Sequence, residues 1–551
     1  MFFFSDHHIL CTVLLTPLFG ALAVWCVPRG LAELQRKVAN GFALLGLGVA
    51  LPLIWKFHAD APEPFQFVTD GNWIPSLGVH FRLGLDGISL TMVLLTALLG
   101  AVAILSGWSA VREREKEFYV WMFLLQAGLL GVFMSLDFVL FFVCWEALLV
   151  PLYLLIAGWG GAKRGEAAMK FLLYGIAGSV VTLLAILALA HARGTFDLRE
   201  ILLHPFMADA GKLSFWLFWG FFLAFAVRVP MFPFHTWFAD ALAEAPTPAA
   251  VMLAGALLST GAYGFLRISV PMLPVAALRY QGLMIALSLI AIVYAGFICV
   301  AQKDLKRLVA YASISQMGFC TLGIFTLTPL GLYGSVLQQV SHGVVTAALL
   351  IATGILSERR GAETVSDFGG WAKLRPRFAA IFTVAALAAA GLPLLSGFIA
   401  EFTVLRGAYD LRWSVAAWAV LGIILVAGAL LLMIQRTLFG AAADSTAENS
   451  VEEIAASSGL ADLNLRELAP LGALLLVSLW VGIYPGPLLR TLKRPVERTF
   501  ENAFLVCFPK ARAVEPTRGA SDGQKMDRTQ PNSVTGAATP SANAPAAEKA
   551  K

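Results

Sequence analysis

The chain has 551 residues, of which 58% are hydrophobic and only 14% charged, with a formal net charge of +5 and a mean hydropathy of +0.76. Because soluble globular domains average about a quarter charged residues, this composition excludes a soluble globule and indicates a polytopic membrane protein. The basic residues stand in loops and form no patch interleaved with aromatic residues, so nucleic-acid binding is not indicated.

The chain begins with an apolar stretch, MFFFSDHHILCTVLLTPLFGALAVWC. This stretch lacks the basic first region and the small-residue cleavage site of a secretory signal, so a retained first helix is predicted. The six cysteines show no CxxC or comparable spacing, which gives no support to an iron–sulfur cluster, a zinc site or a disulfide framework. Any redox chemistry is therefore expected to belong to partner proteins.

Apolar stretches of roughly 18 or more residues follow one another along the chain, and each is long enough to cross a bilayer as a helix. They predict an all-α polytopic membrane protein with about 14 spans between Leu10 and Tyr484. Loops rich in Lys and Arg alternate with poorer ones, and if the basic loops are cytoplasmic, both termini face outward. Amphipathic surface helices, phosphate-binding loops, nucleophile elbows and zinc signatures are not predicted.

The composition changes twice towards the C-terminus. A polar, acidic stretch over 441–456 predicts a loop before the final span, which contains LAPLGALLLVSLWVGIYP. From Pro509 the chain is rich in Ala, Pro, Ser, Thr, Gly and Lys. Because such a composition cannot bury a core, a disordered tail is predicted over 509–551.

Ionisable residues inside the apolar spans point to function, because a charge at the centre of a bilayer costs several kcal/mol unless it is paired or hydrated. Glu146 interrupts FFVCWEALLVP, and Glu401 follows GLPLLSGFIA. Arg228 stands in an apolar run that Pro230 and Pro233 interrupt. Paired interrupted helices in the two halves of a chain are the sequence sign of a transporter built from structural repeats.

Each of these residues also has a purely structural interpretation. Glu146 fits a helix-packing acid that burial keeps neutral, and Arg228 fits a cation that extends to the membrane surface near a helix end. His235 and His342 fit buried histidines that satisfy a neighbouring carbonyl group. Imidazole is nevertheless the side chain best suited to relay protons near neutral pH.

Four longer stretches together resemble the M-subunit family of bacterial respiratory complex I, the proton-translocating NADH–quinone oxidoreductase. They are FFVCWEALLVPLYLLIAGWGGAKRGEAAMKFLLYGIAGS, FFLAFAVRVPMFPFHTWFADALAEAPTPAAVMLAGALLSTGAYGFLRI, DLKRLVAYASISQMGF and QQVSHGVVTAALLIATGILSERRG. The resemblance runs from about Leu83 to LRELAPLGALLLVSLWVGIYP. It implies an antiporter-like fold with about 14 transmembrane helices, two inverted five-helix repeats and broken seventh and twelfth helices.

The resemblance also implies a function. A chain of this family moves protons along a charged, hydrated relay at mid-membrane when partner subunits pass on the energy of quinone reduction. It contributes no cofactor itself, since the partner subunits carry FMN and the iron–sulfur clusters and bind quinone. The expected partners are the other subunits of the complex I membrane arm, lipid and the transported protons, in the bacterial inner membrane.

The implied organisation has five parts. They are the N-terminal transmembrane helices over 1–110, a first antiporter-like half over 111–275, a second half over 276–440, the acidic loop and final span over 441–508, and the tail over 509–551.

The family's functional residues are carried over by position. Glu146 matches the essential glutamate of the fifth helix, and Glu401 matches the terminal acidic residue on the broken twelfth helix. His342 matches a histidine between the two half-channels. Arg228 stands where the family has the lysine of the broken seventh helix. Further possible relay positions are Ser259, His235 and Lys306.

The chain also departs from the family pattern. Ser259 stands where the family has a second relay lysine, and Gln316 stands where a histidine is usual. In WFADALAEAPTP, Ala239 and Leu242 differ from the residues that the family pattern WLPDAHVEAPT would place there. Arginine at 228 is effectively never deprotonated in proteins, so it cannot hand on a proton as lysine does.

Several interpretations therefore stay open. In one, Arg228 is a fixed electrostatic partner of Glu146, while water and hydroxyls near Ser259 bridge the missing lysine. In another, the chain is a specialised M-like paralogue with an impaired relay. A subunit of an Mrp-type cation/proton antiporter and a non-transporting scaffold are the alternatives from other functional classes.

Overall fold

The computed structural model describes residues 8–207, 211–362, 364–440 and 462–507, and most of these residues are helical. The predicted acidic loop over 441–456 and the predicted tail over 509–551 lie outside the described residues. The helices are α1 (Ile9–Cys26), α2 (Ala32–Ala50), α3 (Pro52–Lys56), α4 (Gly87–Ala110), α5 (Glu115–Met134), α6 (Phe138–Glu146), α7 (Leu149–Trp159), α8 (Arg164–Arg193), α9 (Leu198–Leu203), α10 (Gly211–Arg228), α11 (Thr236–Glu244), α12 (Thr247–Met252), α13 (Leu258–Gly264), α14 (Val270–Met272), α15 (Pro274–Arg279), α16 (Gln281–Ala301), α17 (Leu305–Phe325), α18 (Pro329–Arg360), α19 (Trp371–Leu374), α20 (Pro376–Ala389), α21 (Ser396–Leu411), α22 (Trp413–Ile434), α23 (Leu465–Ile483) and α24 (Gly486–Cys507).

Twelve helical segments in this part of the chain are long and apolar enough to cross a membrane. One of them, Thr247–Met272, is buried throughout and contains two π-helical stretches, Leu253–Leu257 and Phe265–Ser269. Two further apolar segments are each divided into a pair of shorter helices, α10 with α11 and α20 with α21. The predicted interruptions are thus present, whereas the exact number of 14 spans, the two inverted repeats and the five-part division stay predictions.

The first divided helix breaks where its prolines remove backbone donors. α10 ends at Arg228, and Met231 donates its N–H to the Ala226 carbonyl at 2.9 Å, one residue beyond the usual partner. The Val227 carbonyl is satisfied instead by the indole N–H of Trp237 at 3.0 Å. An interior break of this kind is tolerated in a membrane because side chains replace the lost backbone bonds.

A short β-hairpin is added to the predominantly helical fold that was predicted. Strands β1 (Gln66–Ile74) and β2 (Val79–Leu85) pair antiparallel between α3 and α4, and Gly78 turns the chain at a φ of +66°. Arg82 joins the hairpin to the start of α9 through an ion pair with Asp197 at 2.7 Å. Burial raises the pKa of Asp70, but hydrogen bonds and charges from Arg82 and His80 outweigh burial and hold that pKa below its ordinary value. The strands are short and polar on one side, so the search for long apolar runs missed them.

An amphipathic helix, α24, corrects an expectation, because no amphipathic surface helix was predicted. Its apolar residues recur every four positions, which places them on one helix face. Leu492 and Val496 are fully buried, and Leu488 and Phe500 pack against the same core. Four basic residues and an internal Pro495 give this stretch the composition of a loop, and only its periodicity indicates a helix.

Candidate functional site

Glu146 is the last residue of α6, at a point where the span Phe138–Trp159 departs from regular helix. Pro151 has no N–H to donate to the Ala147 carbonyl, and the chain forms a turn before α7 begins. The Oε1 atom of Glu146 is buried and has no hydrogen-bond partner among the described residues. A buried carboxylate oxygen with unused acceptor capacity is a place for a water molecule or a proton.

Arg228, the last residue of α10, is only 2% exposed. Its Nη2 atom donates a hydrogen bond to the Trp145 carbonyl at 3.1 Å, and its guanidinium carbon lies 4.5 Å from the centre of the Trp145 ring. Because Trp145 directly precedes Glu146, these contacts fix the cation beside the carboxylate, which acts on it electrostatically. The structure describes no direct hydrogen bond between the two charged groups, and Nη1 of Arg228 is also buried without a described partner.

Ser259 lies on α13, which packs directly against the end of α10. A Cβ atom on Gly261 would approach the Phe225 carbonyl oxygen and the Val229 nitrogen within 2.8 Å, so the two helix backbones are in contact here. Ser259 is fully buried, and its hydroxyl has no partner in the part of the chain that the structure describes. The structure thus places this hydroxyl on the helix that neighbours the break at Arg228.

His342 lies near the middle of α18, which meets the π-helical stretch before Ser259. A Cβ atom on Gly343 would lie 2.8 Å from the Gly255 carbonyl oxygen. His342 is 1% exposed, and neither ring nitrogen has a hydrogen-bond partner among the described residues. The Oε1 atom of Gln338, one helical turn earlier on the same face, is also buried and without a described partner. Polar atoms with unused hydrogen-bonding capacity therefore continue from α13 to α18.

Glu401 follows the break in the second divided helix and is 6% exposed. Its Oε2 atom lies 2.7 Å from the position that a Cβ atom of Gly391 would occupy, and Gly391 has a φ of +77°. The carboxylate shares a small cavity with Gln316 and Ala389, which has room for about one water molecule. Gln316 donates a hydrogen bond to the Ala389 carbonyl at 3.0 Å.

A row of serine hydroxyls supports the start of α21 inside the protein. Ser396 bonds Ser341 of α18 and Ser478 of α23, each at 2.9 Å, and the Ser396 N–H donates to the Ser478 hydroxyl at 3.3 Å. The first N–H groups of a helix have no partner within the helix, so such hydroxyls stabilise a helix start away from water. These serines and Gln338 were not predicted from the sequence, because hydroxyls and amides are common in apolar helices, where they bond their own backbone. Trp145 was not predicted either, because its contact with Arg228 joins distant parts of the chain.

The remaining two predicted positions lie in different settings. The His235 ring packs between Phe232 and Tyr294 in the break after α10, and its Nδ1 atom has no described partner. Lys306 donates a hydrogen bond from Nζ to the Ala245 carbonyl at 3.0 Å, directly after the C-terminal end of α11. The structure therefore brings His235 to the first break and places the Nζ atom of Lys306 at the end of a different helix, α11.

Comparisons with known proteins agree with this architecture. The family described as NADH:quinone oxidoreductase/Mrp antiporter, TM, matches residues 135–427. NADH-quinone oxidoreductase subunit M of Rhodobacter capsulatus is 37% identical over 493 residues, which cover 87% of this chain and 94% of that protein.

Solved structures show the same fold. A chain of respiratory complex I from Thermus thermophilus with bound NADH has a TM-score of 0.80 at 31% identity, covering 90% of this chain and 99% of that one. A chain of the Mrp complex from Dietzia sp. has a TM-score of 0.75 at 22% identity, covering 93% of this chain and 58% of that one. The Thermus thermophilus chain comes from a multi-subunit complex, which indicates other membrane subunits as partners of this multi-pass membrane protein. The chain belongs to the family of membrane subunits shared by NADH:quinone oxidoreductases and Mrp antiporters.

Proposed function

We propose that this chain is the antiporter-like, proton-translocating subunit M of an NADH–quinone oxidoreductase. Quinone reduction in partner subunits supplies the energy, and protons move through this chain along buried polar groups between Glu146 and Glu401. The FMN, the iron–sulfur clusters and the quinone belong to the partner subunits in this proposal. The protein resides in the bacterial inner membrane, in contact with lipid and with the other membrane-arm subunits.

One observation carries the proposal: Glu146, with its buried Oε1 atom, and the buried Glu401 both stand at interrupted helical segments, and α13 and α18 carry buried polar groups of unused hydrogen-bonding capacity. Burying an unsatisfied polar atom costs free energy of about 1–3 kcal/mol. Several such atoms on packed helices therefore favour bound water in the membrane interior. Ser259 on α13 and His342 and Gln338 on α18 supply these atoms. In this proposal they form a hydrated line that conducts protons.

Arg228 acts in this proposal as a fixed cation. Its guanidinium group is held by the Trp145 carbonyl and ring, and it stays charged because arginine is not deprotonated in proteins. It therefore stabilises the negative form of Glu146 without carrying a proton itself. Proton passage beyond it rests on water near Ser259.

The test is proton pumping by membrane vesicles that contain the assembled complex with Glu146→Gln or Glu401→Gln. NADH-driven acidification of the vesicle lumen is expected to fall at least about tenfold in both variants, since glutamine keeps the shape of the side chain but cannot bind and release a proton. NADH oxidation is measured in the same vesicles with an uncoupler, so that loss of assembly is distinguished from loss of proton transfer.

Glu33→Gln is the matched control. Glu33 is 75% exposed and forms an ion pair with Lys37 four residues later, so its replacement leaves the buried groups intact and pumping should be unchanged. Normal pumping by both the Glu146→Gln and the Glu401→Gln complexes would falsify the proposed path. If the Glu33→Gln complex also lost pumping, the assay would report a failure of the complex to assemble and not a loss of proton transfer.

A second candidate is an M-like subunit in which the path is interrupted between the halves. The observation that favours it is that Arg228 and Ser259, neither of which can release a proton as lysine does, stand at the two positions where the family has lysines. The number of protons moved per NADH, compared between the native complex and the two glutamate variants, decides between the two candidates. If this number stays at the native value when Glu401 is replaced but falls when Glu146 is replaced, the path is interrupted.

A further inference from the structure

A pocket on the side of the molecule that carries the hairpin contains an unexplained buried cation, Arg267. This residue lies in the π-helical stretch Phe265–Ser269 and is 7% exposed. Its Nη1 atom forms an ion pair with Asp86 at 2.7 Å, while Phe65 covers the guanidinium with its ring centre 4.6 Å away. Its Nε and Nη2 atoms have no hydrogen-bond partner among the described residues.

The polar groups nearest to these donors are largely engaged elsewhere. The Tyr263 hydroxyl interacts with the Arg267 guanidinium and is also hydrogen-bonded to Ser89 at 2.9 Å. Asp86 is also engaged by the Ser89 N–H at 2.9 Å, as the N-cap of α4. Nε and Nη2 lie on one edge of the planar guanidinium group, the edge that binds two oxygens of one anion side by side. These two donors are therefore already arranged to bind two oxygens of one anion.

The pocket beside Arg267 is lined by more basic than acidic residues. It has a volume of about 430 Å³, and its charged lining residues are Arg199, Arg267, Arg498 and the single acid Asp86. Arg199 is paired with Asp197 at 2.9 Å outside the lining. Arg498 of α24 donates a hydrogen bond to the Pro62 carbonyl at 3.0 Å and has no acidic partner within ion-pair distance in the described part of the chain. Cationic charge in the pocket thus exceeds the negative charge that faces it.

The remaining lining is apolar and lies beside an amphipathic helix. Phe65, Leu202, Leu203 and Pro271 form walls of the pocket, and Leu203 is 71% exposed. α24 contributes Pro495 and Arg498 to the same pocket, and an amphipathic helix with a basic face suits the boundary between lipid and water. A ligand that matches both features carries a phosphate group and an acyl chain.

We infer that this pocket binds the phosphate group of an anionic phospholipid, with Arg267 and Arg498 as its two ligating side chains. The Nε and Nη2 atoms of Arg267 contact two phosphate oxygens, and Arg498 contacts the phosphate from α24. The glycerol end of the acyl chains lies against Leu203 and Phe65. This binding does not rest on the proposed proton path, since none of its residues belongs to that path.

The test is photolabelling of the purified, assembled complex with a photoactivatable phosphatidylglycerol, followed by mapping of the labelled peptides. Labelling is expected within 198–203 and 490–501, with competition by unlabelled phosphatidylglycerol. In Arg498→Gln the apparent affinity is expected to fall about tenfold, the effect of losing one charge-assisted hydrogen bond. The double variant Arg267→Gln with Asp86→Asn removes the deeper ligand without leaving an unpaired buried carboxylate.

Arg494→Gln is the matched control on the same helix. Arg494 donates to the Ala61 carbonyl, next to the loop residue that Arg498 contacts, but it does not line the pocket. Labelling should therefore persist in this variant. Equal labelling by a phosphatidylcholine analogue, or competition by inorganic phosphate alone, would overturn lipid recognition. Unchanged labelling in Arg498→Gln, or cross-linking of a neighbouring subunit to the Arg498→Cys variant in the complex, would overturn the site itself.

Discussion

The two divided helices carry different charges at their breaks. In the first, the cation Arg228 is fixed by Trp145 beside the carboxylate Glu146. In the second, Glu401 lies against Gly391 and shares a small cavity with the neutral Gln316. A fixed cation acts on a neighbouring carboxylate through its charge. The properties of an acid without such a cation depend instead on the space and the water around it. The first break should therefore be sensitive to changes of charge and the second to changes of shape.

Arg228→Gln should have the largest effect of a single change at these breaks. The change removes the cation that Trp145 holds beside Glu146, so the carboxylate loses an opposite charge that favours its negative form. NADH-driven pumping is expected to fall at least about tenfold, a change that vesicle acidification measures directly. Arg228→Lys keeps the charge and should retain more activity than Gln, although lysine lacks the planar group that stacks on Trp145.

Pumping in Arg228→Gln equal to that of the native complex would show that the first break does not depend on a cation. Higher pumping in Arg228→Lys than in the native protein would instead favour the interrupted path, since a titrating cation would then restore a lost step.

Gly391→Ala tests the dependence of the second break on shape. Gly391 has a φ of +77°, and a Cβ atom would lie 2.7 Å from the Glu401 Oε2 atom. The left-handed conformation alone costs a residue with a Cβ atom about 1–2 kcal/mol, and the carboxylate must also move. We expect a lower thermal stability of the assembled complex and pumping reduced about fivefold.

Gly428→Ala on α22 is the control for Gly391→Ala. A Cβ atom there would meet no atom within 4 Å, so an alanine should leave both stability and pumping close to native. Equal behaviour of the two alanine variants would contradict the dependence of Glu401 on its neighbour's shape.

Much of this comparison was predictable from the sequence, because charges and prolines inside apolar runs are rare enough to stand out. Glu146, Arg228, Glu401 and the two interruptions follow from that rule, and the family membership confirmed the resemblance. The partners of these residues were not predictable. Trp145 contacts Arg228 across 83 positions of the chain, and no local pattern encodes such a contact.

The missed elements have a different cause. The hairpin and α24 are short or strongly charged, so a search for long apolar runs passes over them. In α24 the four-residue spacing of Leu488, Leu492, Val496 and Phe500 was the available signal. Arg267 was equally hidden, because its burial depends on the packing of Phe65 and on the ion pair with Asp86 rather than on its neighbours in sequence.

Gln316→Leu should have a moderate effect at the second break. The change removes the hydrogen bond to the Ala389 carbonyl, worth about 1 kcal/mol, and a polar group from the cavity that holds Glu401. Pumping is expected to fall about two- to threefold while NADH oxidation in the presence of an uncoupler stays near native. Gln281→Leu is the matched control, since Gln281 makes the same type of bond to the Thr326 carbonyl at 3.1 Å but does not line that cavity.

Lys306→Met should have the smallest effect, and it separates a helix-end contact from a relay position. Lys306 donates to the Ala245 carbonyl after the end of α11, and a cation at a helix C-terminus contributes about 0.3–1 kcal/mol. We expect a small decrease in thermal stability, recovered in Lys306→Arg, with pumping per NADH unchanged in both variants. A relay lysine would behave in the opposite way, because arginine cannot release a proton: pumping would then fall in both variants while stability recovered only with arginine. The second outcome would bring Lys306, at the start of α17, into the path.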